Sequence, residues 1–387
     1  MPLDIRVHNH VPYVHVCEQS GFYAFGGVRM TAAIPRDAAT VVVVRAAPAA
    51  GLEVLLLQRA ERGDHNSGAW VFPGGLVDPG DREAAQLPSG MDDAGASARL
   101  GLVQGGLAFY LAAIRECFEE SGILYAVDAH GELVSLEGET GAQLAALRHE
   151  LKDGKCSLAD ICGRFALRLV PERLHYIGHW LTPAGRAKRF DTRFFLAIAP
   201  RQQAAMHDAG ETLDHVWIGP AQALSPSNAR RLMTPTRAML DELLPFAGTQ
   251  ALEAWAAGPR TVARVLPRLA MSAAGVQPVM PGHPAYEEIG KLDPEGEGGA
   301  WSELRPGVAV RVSAHVERVT DADGANRYRT GSDAQGWIEQ ARDAPRLVAE
   351  DRLVIAHDVG SLAPGMREAA DWLAPPTGFL QKLPPRS

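Results

Sequence analysis

From Leu107 to Phe118 the apolar residues Leu107, Tyr110, Leu111, Ile114 and Phe118 recur at steps of three and four. That period commits the segment to an amphipathic helix with one face on a core, and Gly122 is well placed to end it. The last turns read RECFEESG, so Glu116, Glu119 and Glu120 stand at i, i+3 and i+4 and share one stripe. Like charges at these spacings repel. Arg115 can reach Glu119 one turn on, yet one guanidinium cannot neutralise three carboxylates. Two readings stay open at this point. One is a solvated acidic face, expected beside a cleft or in open water. The other is a site where a hard divalent cation, Mg2+ or Mn2+, takes oxygen ligands and shares them with substrate phosphates.

The sequence around the helix supplies a sheet. AATVVVVR (38–45) and LEVLLLQ (52–58) are short apolar runs joined by AAPAAG, which reads as a hairpin of buried strands. AWVFPGG adds a third short strand, stopped by Pro-Gly-Gly. Residues 82–104, with scattered Gly, Ser and Asp, read as an excursion over the surface. Helices are expected at 142–152, 157–169 and 229–245. Strands are expected at 174–181 and 190–199, and HVWIGPAQAL reads as a strand turning into a helix at Pro220. Past Pro259 the chain turns rich in Gly and Pro, with a few strands such as 308–319. The expected division is an N-terminal extension (1–37), a main domain (38–250) and a C-terminal accessory region (260–387).

A chain of 387 residues is long enough for one large or two moderate domains. With 46 acidic against 38 basic residues the net charge is −8, which argues against a nucleic-acid surface and suits metal-assisted binding of small anions. Cys17, Cys117, Cys156 and Cys162 lack metal-ligand spacing and form no disulfide framework, so a reduced cytoplasm is expected. No membrane segment is expected, since no uninterrupted apolar run approaches about 18 residues. The C-terminal arm is expected to pack on the core or on a second subunit, as in a homodimer.

Arg115, Glu116, Glu119, Glu120, Gly122 and Ile123 match the second half of the Nudix box, which runs Gly, five residues, Glu, seven residues, then Arg-Glu-U-x-Glu-Glu-x-Gly-U with U aliphatic; Cys117 fills the first U. The chain thus resembles the Nudix hydrolases. Counting back at the family spacing fails, because Leu107 falls where the glutamate belongs. FPGGLVDPGD upstream supplies the missing half instead: Gly75, five spacers, then Asp81 in place of glutamate. Residues 82–114, 33 in all, separate the halves, so the box is split by an insertion at about 82–106, a length that loop closure tolerates. The insertion, the FPGG opening and the later RFDTRFFLA run (189–197) resemble the coenzyme A diphosphatase branch. Upstream, Leu55, Leu56, Gln58, Arg59, Ala60 and Gly68 fit that branch's pattern. Asp64 stands where the branch carries an arginine, with Arg62 as a neighbouring substitute.

The resemblance implies an α+β fold, an α/β/α sandwich around a mixed central sheet. It also implies hydrolysis of the pyrophosphate bond in a nucleoside diphosphate linked to another moiety. Glu116, Glu119, Glu120 and the carbonyl of Gly74 would hold Mg2+ or Mn2+. Arg115 would orient the glutamates by charge-assisted hydrogen bonds. Asp81 would position, and Glu211, with Asp214 second, would supply a further carboxylate as ligand or general base. Arg59, Arg62, Phe72 and Gly75 are the candidate substrate contacts. Coenzyme A or an acyl-coenzyme A is the implied substrate, ADP-ribose or a nucleotide sugar the rival, and a non-catalytic nucleotide sensor the reading from another class. Asp191 is expected to pair with Arg189 or Arg193. His175, His179, His207 and His215 show no metal-binding pattern and are expected to be ordinary strand and loop residues.

Overall fold

The structure is a computed structural model that describes residues 24–25, 28–29, 33–48, 51–60, 67–86, 89–183, 188–207, 212–273, 275–281, 283, 286, 302–313, 316–323, 325–332, 336–342, 347–348 and 354–355. Two compact units divide the chain, one formed by 35–181 and 190–264, the other drawn from 1–34, 182–189 and 265–387. The latter begins with a short antiparallel pair, β1 (Ala24–Phe25) and β2 (Val28–Arg29).

The larger unit is built on β3 (Arg36–Ala46) and β4 (Leu52–Arg59), the expected hairpin, joined antiparallel from Val44↔Val54 to Ala46↔Leu52. In β3 and β4, Val41 to Val44 and Val54 to Leu57 are all fully buried. Such runs mark strands covered on both faces, not an alternating half-wet sheet. The next strand changes neighbours: β5 (Trp70–Val71) pairs with β4, and after Pro73 the chain resumes as β6 (Gly74–Leu76), paired with β3 through Ala39↔Gly75. Pro-Gly-Gly therefore does not stop a strand, as expected, but transfers it to the next one. A side chain on Gly74 would press within 2.5 Å of the Ala39 carbonyl oxygen, so only glycine lets the backbones approach this closely.

α1 (Pro79–Ala84) and α2 (Asp93–Leu100) follow, then the acidic helix, α3 (Gly106–Ser121). The expected surface excursion is thus largely helical, and α2 joins the core through Ala96 and Leu100. It also completes the start of α3, where four backbone N–H groups have no partner within the helix. The Asp93 carboxylate accepts from Gly105 N–H and Leu107 N–H, and Ser97 Oγ accepts from Gly106 N–H, each at 2.9 Å. Beyond Gly122, which adopts a left-handed φ of 74°, come β7 (Ala126–Val127), α4 (Gly138–Lys152), α5 (Leu158–Phe165) and β8 (Arg168–Leu169). α5 is shorter than the expected helix at 157–169, because Ala166 turns left-handed and the chain becomes β8.

β9 (His175–Leu181) and β10 (Phe190–Ile198) are antiparallel, while β10 runs parallel to β3 with Phe195↔Val41. β11 (Thr212–Ile218) pairs with β4 at the opposite edge and leads into α6 (Pro220–Leu224). α7 (Thr234–Leu243) and α8 (Thr249–Ala257) follow. α7 starts later than the expected 229–245 helix, at the residue before Pro235, whose missing N–H suits a first turn. The sheet order is β11-β4-β3-β10-β9-β12, with β12 at Arg264–Val265. Tyr110 of α3 lies on Phe195, ring centroids 4.4 Å apart, on one face. On the other face α7 reaches β9, where a side chain on Gly178 would touch Met239, and α8 packs on β3, β9 and β10. The unit is an α/β/α sandwich around a mixed sheet.

In the smaller unit, β13 (Arg268–Ser272) lies between β14 (Gly275–Val279) and β15 (Ser302–Glu303). Its core gathers Ala270, Val279 and Leu304, with Tyr286 against it. β16 (Ala309–Ser313), β17 (Val316–Thr320), β18 (Asn326–Ser332) and β19 (Gly336–Arg342) form an antiparallel meander. The expected strand at 308–319 is therefore two strands. β20 (Leu347–Val348) and β21 (Val354–Ile355) form a further pair. No helix among the described residues is long and apolar enough to cross a membrane.

Two stability predictions follow from this packing. A side chain on Gly106 would lie 2.4 Å from the Ser97 backbone nitrogen, so Gly106→Ala should force α2 off α3. A loss of about 1–3 kcal/mol in denaturant unfolding is expected, the usual cost of overpacking. Asp191 pairs with Arg193, and also with His179, each at 2.5 Å. Burial pushes the Asp191 carboxyl up, but the His179 hydrogen bond and the Arg193 charge outweigh it and hold the group below its ordinary value. A lowered folded value means the pair stabilises above the unfolded carboxylate range, about 3.9, and that this is lost as pH falls through the folded value. Melting temperature should therefore fall more steeply below about pH 4 in the wild type than in Asp191→Asn.

Candidate active site

The split box closes. Asp81, near the start of α1, meets Arg115 on α3 in a two-pronged ion pair, Nε to Oδ1 and Nη2 to Oδ2, both 2.9 Å. Asp81 is 2% exposed, and its Oδ2 also accepts from Asp78 N–H at 2.8 Å, closing a capping box. The same guanidinium donates to the Leu76 carbonyl at 2.8 Å and through Nη1 to Glu116 at 3.0 Å and Glu119 at 3.3 Å. Arg115 is therefore the hub that both halves share.

β6 lies over the acidic stripe. Gly74 N–H donates to Glu120 Oε2 at 2.9 Å. A side chain on Gly75 would sit 2.3 Å from the Glu116 carboxylate, so glycine is what admits the carboxylate here. Gly74, expected to contribute its carbonyl to a metal, lies at the stripe through this N–H. The glutamates do not face open water, since Glu119 and Glu120 are 9% and 7% exposed. Burial raises the Glu116 carboxyl to about 7; the Glu119 and Asp81 charges add to this, and Arg115 opposes it. Glu119 is raised in the same way, by burial first. Three carboxylates on one guanidinium, with Glu120 beside them on the same stripe, leave an excess of negative charge in low dielectric, and their all-oxygen donor set fits a hard divalent cation.

The expected substrate contacts are dispersed. Arg59 closes β4 opposite Thr212. Phe72 is 2% exposed, so its ring packs inside the unit and presents little surface to a ligand. Arg62 and Glu211 lie outside the described residues. Arg148 was missed by sequence reasoning. Its Nε donates to the Glu119 carbonyl at 2.9 Å and its Nη2 to the Met206 carbonyl at 2.8 Å, tying α4 to the last turn of α3. A signal existed, because Leu144, Leu147, Arg148 and Leu151 share one helical stripe and are all buried, and an arginine on an apolar stripe needs a partner.

The histidines also depart from expectation. His207, Asp214 and His215 come together with one ligand atom each, all within 4.8 Å of one another. No motif announces the trio, because its members converge only through the fold.

Breaking the hub tests it. Side-chain exposures of 10% and 2% make Arg115–Asp81 a buried pair, so Asp81→Ala strips the guanidinium of its two-pronged partner while Glu116 and Glu119 remain on Nη1. A loss of about 3–5 kcal/mol in equilibrium unfolding is expected, and Asp81→Glu should recover part of it.

The family model of the NUDT19 Nudix domain matches residues 91–238. The acyl-coenzyme A diphosphatase NUDT19 of Homo sapiens is 28% identical over 284 residues, covering 63% of this chain and 75% of that protein. The Gallus gallus protein of the same name is 29% identical over 313 residues, covering 65% and 80%. Among solved structures, a NUDIX hydrolase from Alicyclobacillus acidocaldarius is 27% identical with a TM-score of 0.48, covering 58% of this chain and 99% of that one. With its box closed around Arg115, the chain is similar to the Nudix hydrolases across residues 91–238.

Proposed function

We propose that the chain hydrolyses the pyrophosphate bond of coenzyme A or an acyl-coenzyme A, releasing 3′,5′-ADP and a (acyl-)phosphopantetheine, with Mg2+ or Mn2+ at the acidic stripe. The observation that carries this reading is the closed box, with Gly74 and Gly75 on Glu120 and Glu116 and with Arg115 shared by Asp81, Glu116 and Glu119. The substrate class rests on the relatives, whose name is acyl-coenzyme A diphosphatase.

In the working enzyme Glu116, Glu119 and Glu120 would hold the divalent ions. Such ions neutralise phosphate charge and lower the pKa of a bound water. The protein's own contribution is orientation. Arg115 fixes the Glu116 and Glu119 carboxylates, and Gly74 N–H fixes Glu120, so none must reorganise when a pyrophosphate arrives. Arg148 holds the backbone of Glu119. Glu211, between the β10 and β11 strands, is our candidate for the general base.

Asp64, where coenzyme A-directed members carry an arginine, favours the second reading, an ADP-ribose or nucleotide-sugar pyrophosphatase. One panel separates the two: coenzyme A, acyl-coenzyme A, ADP-ribose and NADH, each with Mg2+ or Mn2+ and with product identification. Release of 3′,5′-ADP is the expected result. Glu119→Gln or Glu120→Gln should lower turnover by about two orders of magnitude or more, as loss of an electrostatic stabiliser does, with an unchanged circular dichroism spectrum. Unchanged turnover would remove the stripe from the mechanism, and tight binding without turnover under either metal would make the chain a nucleotide sensor.

A further inference from the structure

We propose that His207, Asp214 and His215 form a second metal site, separate from the acidic stripe and selective for a divalent ion that prefers imidazole, of which Zn2+ is the type. The two Nδ1 atoms lie 3.1 Å apart, with ring centroids at 5.4 Å and planes tilted by 42°. Two imidazole nitrogens about 2.05 Å from one ion are separated by about 2.9 Å at a right angle and about 3.3 Å in a tetrahedron. The observed spacing falls between these values, so the two nitrogens are at a separation one ion can bridge. A carboxylate oxygen of Asp214 completes the trio within 4.8 Å, and its exposed side chain can close the remaining distance without disturbing the core.

The local backbone is arranged to bring the three together. Neighbouring residues of a regular strand point to opposite faces, yet Asp214 and His215 both reach this site. The pairing of β11 with β4 shifts register between Thr212 and Asp214, and a bulge of this kind re-aims the side chains beside it. Two nitrogens and one oxygen suit zinc and the later first-row ions, whereas the all-oxygen stripe suits Mg2+ or Mn2+. Three protein ligands also leave positions open to solvent.

The position gives the site a consequence. Met206, next to His207, donates its N–H to the Ser121 carbonyl at 2.8 Å, and its own carbonyl accepts from Arg148. An ion joining His207 to His215 therefore links the last turn of α3 to β11 at the sheet edge. The alternative occupant of the 3.1 Å gap is one proton, in a plain N–H···N hydrogen bond.

Titration of the full chain with Zn2+ alone, in excess Mg2+, by isothermal calorimetry distinguishes ion from proton. One Zn2+ per chain at a Kd of about 1 μM or tighter is expected, retained in the Glu119→Gln/Glu120→Gln double variant, in which the stripe is disabled. His207→Ala and His215→Ala should each weaken it tenfold or more, and Co2+ should give absorption bands of nitrogen coordination that both variants lose. Melting curves without metal confirm that the variants are folded. Absence of Zn2+ binding below about 100 μM, or binding weakened less than tenfold by both histidine changes, overturns the proposal. Because the readout is metal binding, the outcome does not depend on which substrate the acidic stripe serves.

Discussion

Everything at the acidic stripe depends on one buried guanidinium. Arg115 spends its donors on Asp81, Glu116, Glu119 and the Leu76 carbonyl, so it orders the acidic helix and the upstream loop at once. This explains how the box survives an insertion. Lengthening a connection from seven residues to 33 adds only about 1.4 kcal/mol of closure entropy, less than the roughly 3–5 kcal/mol at stake in a buried pair. The insertion is not a passive loop either, because α2 packs on α3 and caps its first turn.

Much of this was legible in the chain's pattern. The 3.6 period of Leu107 to Phe118 located the helix, and the runs at Val41 and Leu55 located the central strands, since burial on both faces leaves an unbroken apolar signature. FPGG and RECFEESG together carried the two halves of the box. What the pattern could not carry was the role of short polar residues inside the insertion. Asp93 and Ser97 look like ordinary surface residues until the start of α3 is brought against them. The strand transfer at Pro73 was equally hidden, because Pro-Gly-Gly is a stop signal locally and becomes a strand only when Thr40 and Ala39 lie alongside.

Polar groups that act across long separations were the hardest to read. Arg148 meets Glu119 and Met206, and His207 meets His215, through contacts that no spacing encodes. Arg148 and the Met206 N–H converge on the C-terminal turn of α3, where unsatisfied carbonyls need donors. The stripe itself is electrostatically overloaded, with a Glu116 carboxyl raised to about 7. Arg115, the Gly74 N–H and Arg148 together hold this charged and buried helix end in shape.

The strand that changes neighbours at Pro73 has a mechanical consequence. Val41 N–H donates to the Pro73 carbonyl and Val77 N–H to that of Asp37, so the glycine pair over the glutamates is stitched into the sheet on both sides of the crossing. This rim is not a hinge. Lifting it would unzip β6 from β3, whose valines are the centre of the core. The glycine amides should therefore be among the slowest to exchange their hydrogens with solvent.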